Sequence, residues 1–312
     1  MPNSRGWSPS TSWSVVLPAA ALALVLPLTA CSSTAGQTRD DTRPLVLTTF
    51  TVLADMVENV AGDRVEVASL TRPGAEIHGY EPTPDDLVRG QDADLIMENG
   101  LGLEAWFQQF TERVDAPTAL LSDGIETIPI SSGEYEGEPN PHAWMSPDNA
   151  LVYVDNIRDA LTDLDPEGED AYAEAAEAYK AQIGEVGDYL DTELAEVPED
   201  SRALVTCEGA FSYLARDAGL TERYLWPVNA ETEGTPQQIA AVTGFVRDNG
   251  VPTVFCESTV NDGTQRSVAR ETGAAMGGTL YVDSLSEDDG PVPTYLDLLR
   301  HDAETIVAGL RG

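Results

Sequence analysis

The chain has 312 residues, and its 17 Lys and Arg stand against 54 Asp and Glu, for a formal net charge of −37. That length suits two cores better than one, and the apolar content with scattered Gly and Pro argues against a disordered or collagen-like chain. Acidic residues run from Asp40 to Asp302, the wrong sign for a nucleic-acid partner; the same surface favours solubility and concentrates divalent cations within about 10 Å.

Residues 1–30 carry Arg5 as their only charge, then an apolar run from Val15 to Leu28 broken by Pro18 and Pro27, and end on Leu28-Thr29-Ala30 before Cys31. This is the pattern of a signal peptide, and it resembles the bacterial lipoprotein signal in which the cysteine is acylated and becomes the first residue of the mature chain. Cys31 is therefore expected to be a lipid attachment point, with residues 31–43 as a polar tether. No later apolar run is long enough to span a membrane.

Leu45 to Phe50 reads as a buried strand, residues 51–61 as a helix closed by Gly62, Val65 to Leu70 as a strand, Thr83 to Arg89 as a short helix and Asp94 to Met97 as a third strand. Such alternation predicts a parallel sheet with crossover helices. Asp165-Pro166 then opens a segment in which Tyr172, Ala176, Tyr179, Ile183, Val186, Leu190 and Leu194 recur at spacings of three and four. One helix of about 30 residues is expected, capped by Asp165 and on the order of 45 Å long. Beyond it, Ala203 to Thr206, Tyr224 to Val228, Thr253 to Cys256 and Thr279 to Val282 read as strands, alternating with helices from Phe211, Pro236, Thr264 and Pro293. The fold class expected is α/β: two Rossmann-like lobes with parallel sheets, residues 44–164 and 197–312, joined by one long helix over residues 165–196.

Of three histidines, His78 lies in Pro73-Gly74-Ala75-Glu76-Ile77-His78-Gly79-Tyr80-Glu81-Pro82, and His142 in Asn140-Pro141-His142-Ala143-Trp144-Met145-Ser146-Pro147. Both occupy proline-bracketed turns, and fixed backbone is what a ligand set requires. Loops that follow parallel strands are also where α/β sheets bind ligands. His301, beside Arg300 and Asp302 in the last helix, reads as a surface residue.

Together with Thr206-Cys207-Glu208-Gly209-Ala210-Phe211, Glu233-Gly234-Thr235-Pro236 and Tyr281-Val282-Asp283-Ser284-Leu285, these stretches resemble the five ordered motifs of the metal-specific solute-binding lipoproteins of ABC importers. The resemblance covers the chain from about Leu45 onward. It implies an extracytoplasmic receptor that is anchored to the cell membrane through Cys31, holds a metal ion between its lobes, and delivers it to a permease with its ATPase subunit. It assigns His78 and His142 from the first lobe and Glu208 and Asp283 from the second as ligands. Two imidazoles and two carboxylates suit Mn²⁺, Fe²⁺ or Zn²⁺ and not Cu⁺. Zinc receptors of the family often have a third histidine where Glu208 stands, and many carry a His-rich loop, whereas Ser131 to Glu138 has no histidine. Mn²⁺ or Fe²⁺ is therefore expected ahead of Zn²⁺.

Glu257, after the third strand of the second lobe, is a candidate to orient a ligand histidine, and Trp144 is expected to pack against the site. Cys207 and Cys256 pair as a disulfide if their strands are neighbours. The chain is expected to be a monomer. The rival readings are a zinc-specific receptor of the same family, a metallohydrolase, and a siderophore or haem receptor. The first differs only in metal, the second lacks a His-Glu-x-x-His helix, and the third calls for a wider cleft lined by Arg or aromatic residues. An added adhesin role leaves no signature in the sequence.

Overall fold

Four parallel strands open the fold: β1 (Leu45–Thr48), β2 (Glu66–Ser69), β3 (Leu95–Glu98) and β4 (Thr118–Leu120), in the order β2-β1-β3-β4. The computed structural model describes residues 43–104, 114–133, 135–228 and 234–312. The leader, Cys31, the tether up to residue 42, and Glu233 lie outside the described residues. β1 is buried along its whole length, as an interior strand of a parallel sheet covered on both faces must be. Helix α1 (Thr51–Ala61) crosses to β2, and its buried Leu53, Met56, Val57 and Val60 form the apolar stripe that the spacing predicted. Helix α2 (Pro84–Gln91) begins at a capping box in which Thr83 and Asp86 satisfy each other's backbone N–H.

Two helices follow. α3 (Pro147–Leu164) is an 18-residue helix that the sequence reading did not single out, capped by Ser146, whose hydroxyl accepts the Asn149 N–H. α4 (Glu169–Ala195) is the expected long helix, with 27 residues and a length of about 40 Å at 1.5 Å per residue. Its start differs from expectation. Pro166–Gly168 is a turn of 3-10 helix, and the Asp165 carboxylate, rather than capping, takes the Arg64 guanidinium at 2.6 Å and the Tyr172 hydroxyl at 2.9 Å. An ion pair with a distant residue has outcompeted the local cap.

The second half contains β5 (Ala203–Glu208), α5 (Ser212–Asp217), β6 (Thr221–Trp226), α6 (Pro236–Asn249), β7 (Thr253–Glu257), α7 (Gly263–Thr272), β8 (Ala275–Leu280) and α8 (Tyr295–Arg311). The strands pair in parallel as β5-β6 and β7-β8. β5 lies beside β7, where the Cys207–Cys256 disulfide joins them with Cα atoms 4.9 Å apart. The Gln265 amide donates to Val205 O and Phe255 O across the same seam. β6 and β8 each begin and end earlier than the sequence indicated. The expected Tyr224–Val228 and Thr279–Val282 are shifted because Val228 and Val282 are buried in the loops that follow, and apolar character alone does not separate a strand from a packed loop.

One continuous apolar core runs through α1, α3, α4 and α8 and includes Phe50, Trp144, Tyr153, Phe211 and Tyr295, so residues from both halves share it. Asp41–Gly312 forms one compact unit. Among the described residues no helix is long and apolar enough to cross a membrane.

Candidate metal centre

His78 projects from the loop between β2 and α2. The Glu76 carboxylate fixes that loop by accepting the N–H groups of His78 at 2.7 Å and Gly79 at 3.0 Å. Its far end is pinned by Asp86, which accepts the Thr83 N–H at 2.7 Å and the Tyr80 hydroxyl at 2.9 Å. His142 opens the single 3-10 turn Ala143–Met145 that leads into α3. The Asn140 side-chain Oδ1 accepts both the His142 backbone N–H, at 3.0 Å, and ring Nδ1–H, at 2.9 Å. That bond places the ring proton on Nδ1 and turns the Nε2 lone pair toward the cleft.

Glu208 is the last residue of β5. Gly209 follows because a Cβ there would lie 2.5 Å from Pro227 O, and its N–H bonds back to Trp226 O and Pro227 O. Asp283 stands three residues beyond β8. Its loop is held by the Asp302 carboxylate on the Tyr281 N–H, 3.0 Å, and by the Ser284 hydroxyl, which accepts the Gly74 N–H at 2.7 Å.

These four side chains converge. His78 Nε2 is 3.1 Å from His142 Nε2, 3.5 Å from Glu208 Oε1 and 3.8 Å from Asp283 Oδ1; His142 Nε2 is 3.9 Å and 3.7 Å from the same two oxygens. Donors about 2.1 Å from a tetrahedral ion stand about 3.4 Å from one another; the His–His and His–carboxylate separations lie near that value, and His78, His142 and Asp283 form a set whose ligand atoms all lie within 4.8 Å of one another, with Glu208 facing both imidazoles. None of the four side chains is more than 7% exposed.

Burial drives the electrostatics. The His78 imidazolium is disfavoured down to about 3, and His142 is held well below its ordinary value by burial and by His78, so both rings are neutral. Burial, with the Glu76 charge nearby, raises the Asp283 carboxyl to about 7 against the opposing bond from Thr259. Asp283 Oδ1 and His78 Nδ1 are buried with no hydrogen-bond partner among the described residues. Neutral imidazoles cannot compensate carboxylates; a dication can, and it would draw Asp283 into its ionised form.

Trp144 packs its ring 5.2 Å from that of His142, as expected, and its Nε1–H donates to Val282 O at 3.1 Å. Glu257 does not orient a histidine. Its carboxylate accepts the Glu208 N–H at 3.3 Å, and burial raises its carboxyl to about 8. The orienting partner is Asn140, which the sequence reading missed. A signal was available, because an Asn two residues before a histidine in a turn is placed to accept that residue's N–H. Cys207, Cys256 and Glu257 also cluster, but sulfurs joined in a disulfide offer no thiolate. His301 lies apart, with Nε2 2.9 Å from Thr279 O.

Comparison with known proteins identifies the family. The profile of the family described as "ZnuA: Zinc-uptake complex component A periplasmic" matches residues 46–309. The iron-binding protein YfeA of Yersinia pestis is 51% identical over 265 residues, 85% of each chain. The manganese-binding lipoprotein MntA of Halalkalibacterium halodurans is 35% identical over 276 residues, 88% of this chain and 91% of its own. The Mn-bound periplasmic metal binding protein from Candidatus Liberibacter asiaticus superposes with a TM-score of 0.81 at 40% identity, covering 86% of this chain and 100% of that one. The chain belongs to the ZnuA family and is a metal-binding substrate-binding protein of an ABC transporter of the zinc, manganese and iron type.

Proposed function

We propose that His78, His142, Glu208 and Asp283 together bind one divalent transition-metal ion, Mn²⁺ ahead of Fe²⁺ and Zn²⁺, and that the chain delivers it to a membrane permease coupled to an ATPase subunit. The observation that carries this reading is that the Nε2 atoms of His78 and His142 lie 3.1 Å apart and each stands 3.5–3.9 Å from a Glu208 and an Asp283 carboxylate oxygen, all four side chains being buried. The ligands come in two pairs, His78 and His142 from residues 44–164, Glu208 and Asp283 from residues 197–312, with α4 as the stiff spine between. Four protein donors closing on the ion leave no position for an activated water, which supports a receptor and not an enzyme. The ion is cargo.

Manganese is favoured by the carboxylate at Glu208 and by the absence of histidine from residues 131–138. Intrinsic affinity runs toward zinc at a mixed N/O site, so selectivity rests on geometry and supply. Ferrous iron is the second reading, supported by the 51%-identical relative named as iron-binding. The protein acts as a monomer, tethered outside the cell membrane by acylated Cys31. Mass spectrometry of the mature protein purified from its host membrane tests the whole reading, with anaerobic competition between Mn²⁺, Fe²⁺ and Zn²⁺ on the metal-free form. One manganese per chain and an unacylated Cys31→Ala variant released from the membrane are expected. A chain that binds none of the three metals overturns the ligand set.

A further inference from the structure

Two side chains that are not ligands cross the cleft, and both start beside His142. Asn140 accepts the His142 N–H and Nδ1–H through its oxygen, and its Nδ2–H donates to Gly209 O at 2.7 Å. Gly209 directly follows Glu208. Trp144, two residues after His142, donates its indole N–H to Val282 O at 3.1 Å, and Val282 directly precedes Asp283. Asn140 is 3% exposed and Trp144 fully buried, so water cannot replace either bond without entering the core. Trp144 is itself fixed. Its ring lies 5.0 Å from that of Phe50, and its carbonyl accepts the Tyr295 hydroxyl.

We infer that Asn140 and Trp144 are positioning residues, two buried struts that hold the backbone beside Glu208 and Asp283 at a set distance from His142 and thereby limit how far the donors can spread. This rests on the ligand set proposed above. The physical reason is one of scale. Transition-metal and Ca²⁺ donor distances differ by only a few tenths of an ångström, about 2.1 Å against 2.3–2.6 Å, so loosening either strut favours the larger ion. Both ions accept carboxylate oxygen; the two imidazoles disfavour Ca²⁺, and restrained donor spacing adds to that discrimination.

Trp144→Phe keeps a ring against Phe50 and His142 and deletes only the N–H, whereas Asn140→Ala removes the strut at both ends, the donor to Gly209 O and the oxygen that accepts the His142 N–H and Nδ1–H. For each, the Mn²⁺ dissociation rate is measured by stopped flow into a chelator, the Mn²⁺-to-Ca²⁺ affinity ratio by competition, and the melting temperature on the metal-free form. Mn²⁺ release is expected to accelerate by about 10- to 100-fold, the range for changes that disturb ligand orientation, with a falling Mn²⁺-to-Ca²⁺ ratio. Loss of packing alone would lower the melting temperature and leave the ratio where it was. Release rates and ratios within twofold of wild type in both folded variants overturn the inference. If Trp144→Phe does not fold, Asn140→Ala decides alone, because its strut reaches the second lobe independently. A wild-type chain that retains no metal removes the ligand assignment itself, and the struts with it.

Discussion

The two histidines are held in opposite ways. His142 is fully buried, its ring proton engaged by Asn140 and its neighbour Trp144 tied to the Asp283 loop. His78 sits on a loop in which Arg72, Pro73, Gly74, Glu76 and Gly79 are exposed, and its Nδ1 is buried without a hydrogen-bond partner among the described residues. The backbone hold on His78 is local, through Glu76. The difference separates reference from closure: His142 sets the position of the site, and His78 completes it from the solvent side.

Removing His142 tests this most severely. His142→Ala deletes a proposed ligand and the group on which Asn140 converges, and Mn²⁺ affinity by calorimetry is expected to fall by roughly 1,000-fold, about 4 kcal/mol. His78→Ala leaves the other three donors in place and is expected to cost roughly 100-fold, about 2.7 kcal/mol, with faster release as the main change. Equal losses for the two variants would erase the distinction between them. Glu76→Ala touches no ligand atom but frees the His78 and Gly79 N–H groups, so a loss of about 10-fold is expected. That loss should appear in kinetics, with the melting temperature of the metal-free protein little altered.

The smallest effect is in pH dependence. Burial raises Asp55 to about 6 and both Glu104 and Glu222 to about 7. The folded chain therefore keeps protons that the unfolded chain has already lost, and the stability these groups contribute is complete below about pH 4 and lost as pH climbs through 6 to 7. Glu104 lies under the His142 side, accepting the Asn99 N–H while the Asn99 amide donates to Pro141 O. The metal-free protein should melt progressively lower from pH 5 to pH 8 in scanning calorimetry. Saturating Mn²⁺ should flatten that decline, because it favours ionised Asp283. A metal-free melting temperature that rises over this range would contradict the buried-acid account.

The fold class was legible in the sequence because it rests on local signals, apolar runs and the period of α4; the four side chains that the structure brings together were assigned by the family resemblance, and prolines bracketing the histidines were the one local signal beside it. What was not legible depends on partners distant in the chain. Asp165 looked like a cap until Arg64, 101 residues away, claimed its carboxylate. β4 escaped because Thr118, Ala119 and Leu120 form an edge strand with exposed ends, lacking an apolar signature. Glu257 looked like a histidine partner from its place after a strand, but the β5–β7 seam points it at the Glu208 backbone. The disulfide stood between these cases, since residue type suggested it and strand adjacency decided it.

Tyr295, the first residue of the last helix, donates its hydroxyl to Trp144 O and its backbone N–H to Asp55. The histidines and their nearest holders, Glu76 and Asn140, thus emerge early in synthesis, while the residue that backs Trp144 comes from the final stretch of the chain. A partly made or partly exported molecule carries both imidazoles yet has no closed cage to offer. On the proposed ligand set, the support behind Trp144 is complete only in a chain made to its last helix.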